Sequence, residues 1–294
     1  LICAGLGLLW WALSRVDSVS GLFSQGSRFA TTGEFWKAFW PQLTAMVGFW
    51  ATLSLNIPDF TRYAKDQKTQ VLGQALGLPT TMTLFCFIGI MVTSATVMIF
   101  GQAIWDPVSL VIRFGSLPAI IISLVALTVA TLTTNLAANV VSPANDIANL
   151  APGRISYRMG GMITAFIGIA MMPWYLYNNL SAYIFTWLIG YSALLGPIAG
   201  IMLCHYYICR KTRLNVEALY DPAGEYAYRN GFNWRAVAAL LLAVLPNLPG
   251  FVNAAVGGKE HRVFPAFFDT IYDSAWFVGL ALGGVIYFAL MRGR

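Results

Sequence analysis

The chain has 294 residues, of which 58% are hydrophobic and only 10% are charged, with 18 basic and 12 acidic side chains. Because a soluble domain typically carries about 25% charged residues, this composition excludes a soluble globular enzyme. An aromatic content of 14% excludes a disordered chain, and a total of four cysteines excludes a disulfide-stabilised scaffold.

Long stretches without a charged residue indicate membrane-spanning helices. A helix needs about 20 apolar residues to cross a bilayer, and the stretches lack the two-residue alternation of a membrane β-barrel. The sequence therefore predicts an all-α membrane protein with about eight transmembrane helices, at 1–14, 39–57, 79–101, 117–143, 157–175, 180–208, 234–254 and 271–291.

Proline and the chain ends refine this prediction. Pro79 and Pro118 are expected near helix entrances and Pro143 near an exit. No low-complexity linker divides the chain, so we expect one membrane domain over residues 1–294. The chain begins with Leu1 inside an apolar stretch, and we therefore expect it to be truncated within a helix.

The distribution of Lys and Arg predicts the orientation in the membrane. With eight crossings, one set of loops holds 12 basic residues and the other holds 6, so the richer side is expected to be cytoplasmic. The net charge of +6 is then explained by the basic residues that orient the protein in the membrane. Nucleic-acid binding is disfavoured, because the basic residues are scattered along loop margins.

The segment 119–145 carries an unusual number of polar residues for a membrane helix. Ala130, Thr133 and Thr134 share a broad face, and their two hydroxyls and one carbonyl offer the oxygen ligands that hard cations prefer. The alternative is that the threonines bond back to their own helix. Asn139 and Asn135 lie one turn apart. In one interpretation the Asn139 side chain supplies the donor and the acceptor that a planar, amide-like ligand needs. In the other, the two asparagines form hydrogen bonds between neighbouring helices.

A second polar cluster follows the apolar segment that contains Trp50. The indole of Trp50 can stack on a flat heterocycle, or it can belong to an interfacial aromatic belt or to helix packing. Asp59 and Arg62 are three residues apart and can pair at the cytoplasmic end of this segment, in a structural role rather than as a proton relay.

Other motifs indicate packing rather than chemistry. The spacing of Cys204, His205 and Cys209 does not match a zinc motif, and these residues are expected to pack at a helix end. The patterns Gly196–Gly200 and Gly279–Gly283 place small residues four apart and predict tight helix packing. No paired intramembrane carboxylates are found in the sequence, which disfavours a proton pump that works through them.

Three stretches resemble signatures of the nucleobase:cation symporter-1 family: Asn56 to Lys65 (NIPDFTRYAK), Thr133 to Asp146 (TTNLAANVVSPAND), and Leu194 to Gly200 (LLGPIAG) followed by Tyr206-Tyr207. The resemblance implies a twelve-helix inverted-repeat transporter fold, five plus five helices followed by two. This chain would then run from the end of the fifth helix to the twelfth.

The resemblance also implies roles for individual residues. A sodium site would use the Ala130 carbonyl and the Thr133 and Thr134 hydroxyls, and Asn139 would bind substrate. Trp50 would stack on the substrate ring, although Trp40 lies ten residues earlier. A bulky aliphatic gate residue of the tenth helix falls near Ile184.

The sequence thus predicts a secondary active symporter that imports a nucleobase or a related cyclic amide or ureide (allantoin, hydantoin, cytosine or uracil) by alternating access. The coupling ion would be Na⁺ or H⁺, with no further cofactor. The other classes considered are a membrane-embedded enzyme and a channel. We expect a monomeric, multi-pass protein of the plasma (inner) membrane, with the lipid bilayer and a small nucleobase-like substrate as its partners and no nucleic acid.

Overall fold

The computed structural model describes residues 2–24, 26–27, 29–179, 182–221, 223–257 and 261–292. In these ranges the regular secondary structure is helical. The helices are α1 (Ile2–Leu13), α2 (Val19–Phe23), α3 (Thr32–Asn56), α4 (Pro58–Thr61), α5 (Gln67–Phe100), α6 (Pro107–Val111), α7 (Leu117–Asn139), α8 (Val141–Leu150), α9 (Tyr157–Ala170), α10 (Pro173–Asn178), α11 (Tyr183–Cys209), α12 (Trp234–Val256), α13 (Phe267–Asp273) and α14 (Ala275–Met291).

Two of the long helices contain non-α turns. Helix α11 has π-helical turns at both ends, Tyr183–Leu188 and Cys204–Cys209. Helix α12 contains a 3₁₀ turn at Leu245–Asn247, where Pro246 and the following Pro249 each remove one donor from the backbone ladder.

Each of the eight predicted segments contains a helix, but α3 and α5 begin earlier than predicted because polar side chains cap them. The hydroxyl of Thr31 accepts a hydrogen bond from the Glu34 N–H at 3.2 Å. The carboxylate of Asp66 accepts one from the Thr69 N–H at 2.7 Å, and this bond lowers the pKa of Asp66 below its usual value. Such caps satisfy backbone donors that the first turn leaves unpaired.

The prolines mark helix starts only in part. Pro118 lies in the first turn of α7, as predicted. Pro79 lies inside α5, so its predicted place at an entrance is wrong. Pro143 lies in the first turn of α8, so it follows the break at Val140 rather than ending the predicted helix.

Four helices of the described ranges are long and apolar enough to cross a membrane. They are Gln67–Phe100, Leu117–Leu150 (α7 and α8 taken together), Tyr183–Cys209 and Trp234–Val256. The pair α13 and α14, bent by 85° at Ser274, would make a fifth. The sequence predicted about eight. Helices α1 and α9 have only 12 and 14 residues and are too short to be counted, and α3, with 25 residues, is long enough but is not among the helices that are also apolar enough.

The chain forms two compact units. The first contains Leu1–Arg28 and Pro58–Ile167. Its apolar core lies where α1 and α2 pack on α5, around the buried residues Ala12, Leu22, Ile88, Met91, Val92, Ala95 and Leu110. The buried hydroxyl of Thr96 accepts a hydrogen bond from the Ile104 N–H at 2.8 Å and so holds the chain that follows α5.

The second unit contains Phe29–Ile57 and Gly168–Arg294. Helices α11 and α14 approach each other backbone to backbone: a Cβ on Gly196 or Gly200 would overlap a carbonyl of α14, and one on Gly279 or Gly283 would overlap Pro197. The packing predicted from the small-residue patterns is therefore confirmed. Helix α3 packs on α11 in the same way, since a Cβ on Gly48 would overlap Ser192.

One buried polar cluster of the second unit is paired within it, whereas the side-chain amide of Asn247 and the indole N–H of Trp276 are buried without a hydrogen-bond partner among the described residues. Tyr287 is 1% exposed; its hydroxyl accepts a hydrogen bond from Asn233 Nδ2 at 3.0 Å and lies 2.8 Å from His205 Nδ1. Asn233 also caps α12 through the Ala236 N–H at 3.3 Å. Cys204 is buried beside this cluster, so the predicted packing of these residues at a helix end is confirmed.

The close contact of α11 with α14 gives a test of the fold. Gly200→Ala places a Cβ against the Leu280 carbonyl, and we expect a loss of about 1–3 kcal/mol in the free energy of unfolding. Gly168→Ala is the matched control, because no atom lies within 4 Å of its Cβ position; it should be neutral or slightly stabilising. Thermal unfolding of the purified protein measures both changes, and equal effects would contradict the packing.

Candidate functional site

Helix α7 carries most of the predicted site residues. It is strongly apolar, yet none of its residues is buried by the described parts of the chain. Ala130 is half-buried, and Thr133, Thr134 and Asn139 are exposed. An apolar helix with an exposed polar face has side chains available for a ligand.

The two threonines differ in their hydrogen bonds. The Thr133 hydroxyl donates to the carbonyls of Val129 at 2.8 Å and of Ala130 at 3.1 Å. Back-bonding to its own helix, one of the two interpretations of the sequence, is thus present at Thr133, although its oxygen keeps acceptor capacity. Among the described residues Thr134 has no such side-chain bond, so its hydroxyl can turn towards a ligand.

The donor set of this face suits a small hard cation. Two hydroxyl oxygens and the Ala130 carbonyl lie within about one helical turn, and oxygen is the ligand atom that such ions prefer. Among the described residues no group of three or more His, Cys, Asp or Glu side chains is placed to hold a metal ion. Neutral oxygens are therefore the chemistry that this face offers.

Asn135 and Asn139 pair with each other on α7. Asn139 Nδ2 donates to Asn135 Oδ1 at 3.3 Å, and both residues are exposed. This bond leaves the Asn139 carbonyl oxygen and the Asn135 amide hydrogens available. The pair can therefore present one acceptor and donors to a planar ligand that has both.

The other two predicted residues, Trp50 and Ile184, lie in the second unit. Helix α3 packs through a stripe of small residues, and Trp50 lies off this stripe: its side chain is 39% exposed, with a ring contact to the neighbouring Phe49. Trp40, the other tryptophan considered for the stacking role, stacks on Trp36 and contacts Phe277 edge to face. Among the described residues Trp40 therefore has more ring contacts than Trp50, although its side chain is the more exposed of the two, at 45% against 39%.

Ile184 lies in the π-helical turn at the start of α11. Its half-buried side chain packs against a core cluster that includes Leu188, Ile189 and Tyr272. The turn is tied down on one side, because the Tyr272 hydroxyl donates to the Thr186 carbonyl at 3.0 Å. π-Helical turns are rare in proteins overall but are often found at functional sites. This position therefore suits a residue that moves during function.

Asp59 has a different partner from the predicted one. Its carboxylate accepts a hydrogen bond from Asn145 Nδ2 at 3.1 Å, and Arg62 instead lies over the Tyr63 ring at 5.0 Å. The prediction of an Asp59–Arg62 pair is therefore wrong; a contact with α8 competes better than the local one. The first unit has a cavity of about 430 Å³ here, lined by Asp59, Phe60, Arg62, Tyr63, Val141, Asn145 and Tyr157.

No role was predicted for Asn145. It lies two residues after Pro143, in one of the stretches that resemble the family signatures. Its partner is 86 residues away in the chain, a separation that no local pattern reveals.

Long apolar helices, glycine-mediated helix contacts and an exposed polar face on an apolar helix together define a multi-pass α-helical membrane protein. A family profile described as "Permease for cytosine/purines, uracil, thiamine, allantoin" matches residues 1–279. The chain belongs to this permease family.

Two relatives illustrate the similarity. The chain is 43% identical over 286 residues to the purine-uracil permease NCS1 of Arabidopsis thaliana, covering 97% of this chain and 47% of that protein. It is 41% identical over 290 residues to the allantoin permease of Bacillus subtilis (strain 168), covering 97% of this chain and 56% of that protein. The chain thus spans about half the length of these relatives.

A solved structure has the same fold. The chain matches the inward-facing conformation of Mhp1 with a TM-score of 0.70 and 25% sequence identity, over 99% of this chain and 58% of that one. The all-helical prediction and the predicted family are therefore confirmed.

Proposed function

We propose that the full-length protein is a secondary active symporter of the plasma membrane that imports a nucleobase or a related cyclic amide or ureide by alternating access. The proposal rests on membership of the permease family and on relatives whose names specify purine, uracil and allantoin. The observation that carries it is the exposed polar face of α7, where Thr134 and Asn139 meet no polar group from another helix among the described residues.

In this proposal the whole protein has twelve helices in an inverted repeat of five plus five, followed by two, and acts as a monomer. The ring of the substrate stacks on Trp50, its amide edge bonds to Asn139, and Ile184 closes over it. Ala130, Thr133 and Thr134 contribute oxygens to a bound Na⁺, whose gradient supplies the driving force.

Uptake into vesicles tests the proposed class. The full-length protein in proteoliposomes should accumulate at least one radiolabelled member of the panel allantoin, hydantoin, cytosine, uracil and adenine when an inward Na⁺ gradient is imposed. Protein-free vesicles and an excess of unlabelled substrate are the controls. Absence of uptake for every member, with or without a cation gradient, would contradict the proposal.

Replacing Trp50 should weaken substrate binding by about 1–3 kcal/mol in Trp50→Ala, because base–aromatic stacking is lost. Trp50→Phe should keep part of the affinity. Trp40→Ala is the matched control, since its ring already has partners within the second unit. Substrate titration of the purified variants measures the change, and equal effects at Trp40 and Trp50 would refute the assignment.

Replacing Asn139 should weaken substrate binding by about 1–3 kcal/mol in Asn139→Ala, because polar groups of the ligand lose their partner. Asn149→Ala is the control for a lost amide, as Asn149 is exposed on α8. Thermal unfolding should be nearly unchanged in both. A wild-type affinity in Asn139→Ala would leave Asn139 a purely structural role.

Replacing Thr134 tests the coupling ion. Thr134→Val keeps the shape of the side chain and removes its oxygen, so it should abolish the enhancement of substrate affinity by Na⁺ and leave weak, Na⁺-independent binding. Thr128→Val is the control, because that hydroxyl bonds the Leu124 carbonyl of its own helix at 2.8 Å. Equal enhancement by Na⁺ in wild type and Thr134→Val would place the cation elsewhere.

A further inference from the structure

The hydrogen bond between Asp59 and Asn145 joins two helices that are distant in sequence. Asn145 Nδ2 donates to Asp59 Oδ1 at 3.1 Å, with both side chains partly buried. Because the acceptor is a carboxylate, the bond is stronger than one between neutral groups. It attaches α8 to the short helix α4.

The neighbouring residue attaches α8 on a second side. Ala144 is 0% exposed, and the backbone of α9 approaches it so closely that a Cβ on Gly160 would overlap the Ala144 carbonyl. This contact to α9 is steric, whereas the bond to α4 is directional. The hydrogen bond to Asp59 therefore favours one rotation of α8 about its own axis.

Helix α8 in turn holds the end of α7. Val140 alone separates the two helices, and the hydrogen-bonded path continues through it: the Val140 N–H donates to the Leu136 carbonyl at 3.1 Å, and the Ala144 N–H donates to the Val140 carbonyl at 2.9 Å. Since α7 has no buried residue of its own in the described chain, its orientation at this end depends on α8.

We propose that the Asp59–Asn145 hydrogen bond is a positioning contact that sets the orientation of Asn139 towards the substrate. Asn139 lies six residues before Asn145 and directly before the break. A rotation of α8 after loss of the bond turns the Asn139 amide away from the plane of a bound ring. This inference rests on the proposed function, because it assigns the contact to the substrate site named there.

The experiment compares substrate affinity in four variants of the full-length protein in proteoliposomes. Asn145→Ala and Asp59→Ala each remove the bond, and the KM for substrate should rise about three- to tenfold, less than the loss of a charge-assisted bond itself because the effect is indirect, with little change in Vmax. The exchange Asp59→Asn with Asn145→Asp restores an amide–carboxylate bond in the opposite sense and should return the KM towards wild type. Asn149→Ala, one turn further along α8, is the control.

A double-mutant cycle separates positioning from general stabilisation. In an Asn139→Ala background, Asn145→Ala should raise the KM no further, because the residue that it positions is already absent. An additive effect in that background, or a lowered melting temperature with an unchanged KM in the single variants, would overturn the inference. If the single variants cannot be purified, the exchange variant decides: a KM far above wild type in a folded exchange variant also overturns it.

Failure of this inference is distinguishable from failure of the proposed function. Wild-type uptake of the cyclic substrates is measured first. If wild type transports and the Asp59 and Asn145 variants keep its KM, only the positioning role is refuted. If wild type transports none of the substrates, the proposed function is refuted, and the positioning role with it.

Discussion

A polar atom inside an apolar helix has to find a hydrogen-bond partner within the protein, because lipid offers none. Most polar side chains of the described helices obey this requirement through nearby groups. Thr80, Thr128 and Thr133 bond carbonyls of their own helices. Asn253 uses its whole amide group on the Val263–Phe264 backbone and on the Asp269 carboxylate. Against this background the hydroxyl of Thr134 and the amides of Asn135 and Asn139 keep unused hydrogen-bonding capacity, and we propose them as ligand-binding groups.

The two units meet the requirement of dense packing differently. In the second unit glycines allow α11 to touch α14 and α3 along their backbones, which leaves a well-packed body with Trp50 at its surface. In the first unit α7 is held through its ends, and its polar face stays exposed.

Much of the fold could be predicted from the sequence because lipid imposes simple rules. Charge-free stretches located a helix in every predicted segment, and small residues four apart located the contact of α11 with α14. Helix starts were missed where a cap lies far from the apolar segment: Asp66 begins α5 well before Pro79. The end of the helix was predicted at Pro143 and lies at Asn139 instead, because a proline ring clashes with the carbonyl four residues before it.

Only those parts of the candidate site whose residues are close together in the sequence could be predicted. The face of Ala130, Thr133 and Thr134 follows from helical spacing, and the back-bonding of Thr133 was one of two open interpretations. The partner of Asp59 was assigned wrongly. Arg62 is only three residues away in the sequence, whereas the actual partner, Asn145, is 86 residues away. Long-range pairs of this kind depend on how helices pack, which local spacing does not encode.

The central claim is that α7 binds substrate and Na⁺ at neighbouring, coupled positions. Equilibrium binding to the full-length protein tests it most directly: substrate affinity is measured without and with saturating Na⁺, and Na⁺ affinity without and with saturating substrate, at two pH values. By linkage, both affinities should rise by the same factor, typically about 5- to 150-fold. A substrate affinity that ignores Na⁺ and follows pH would contradict the claim and assign the coupling to protons.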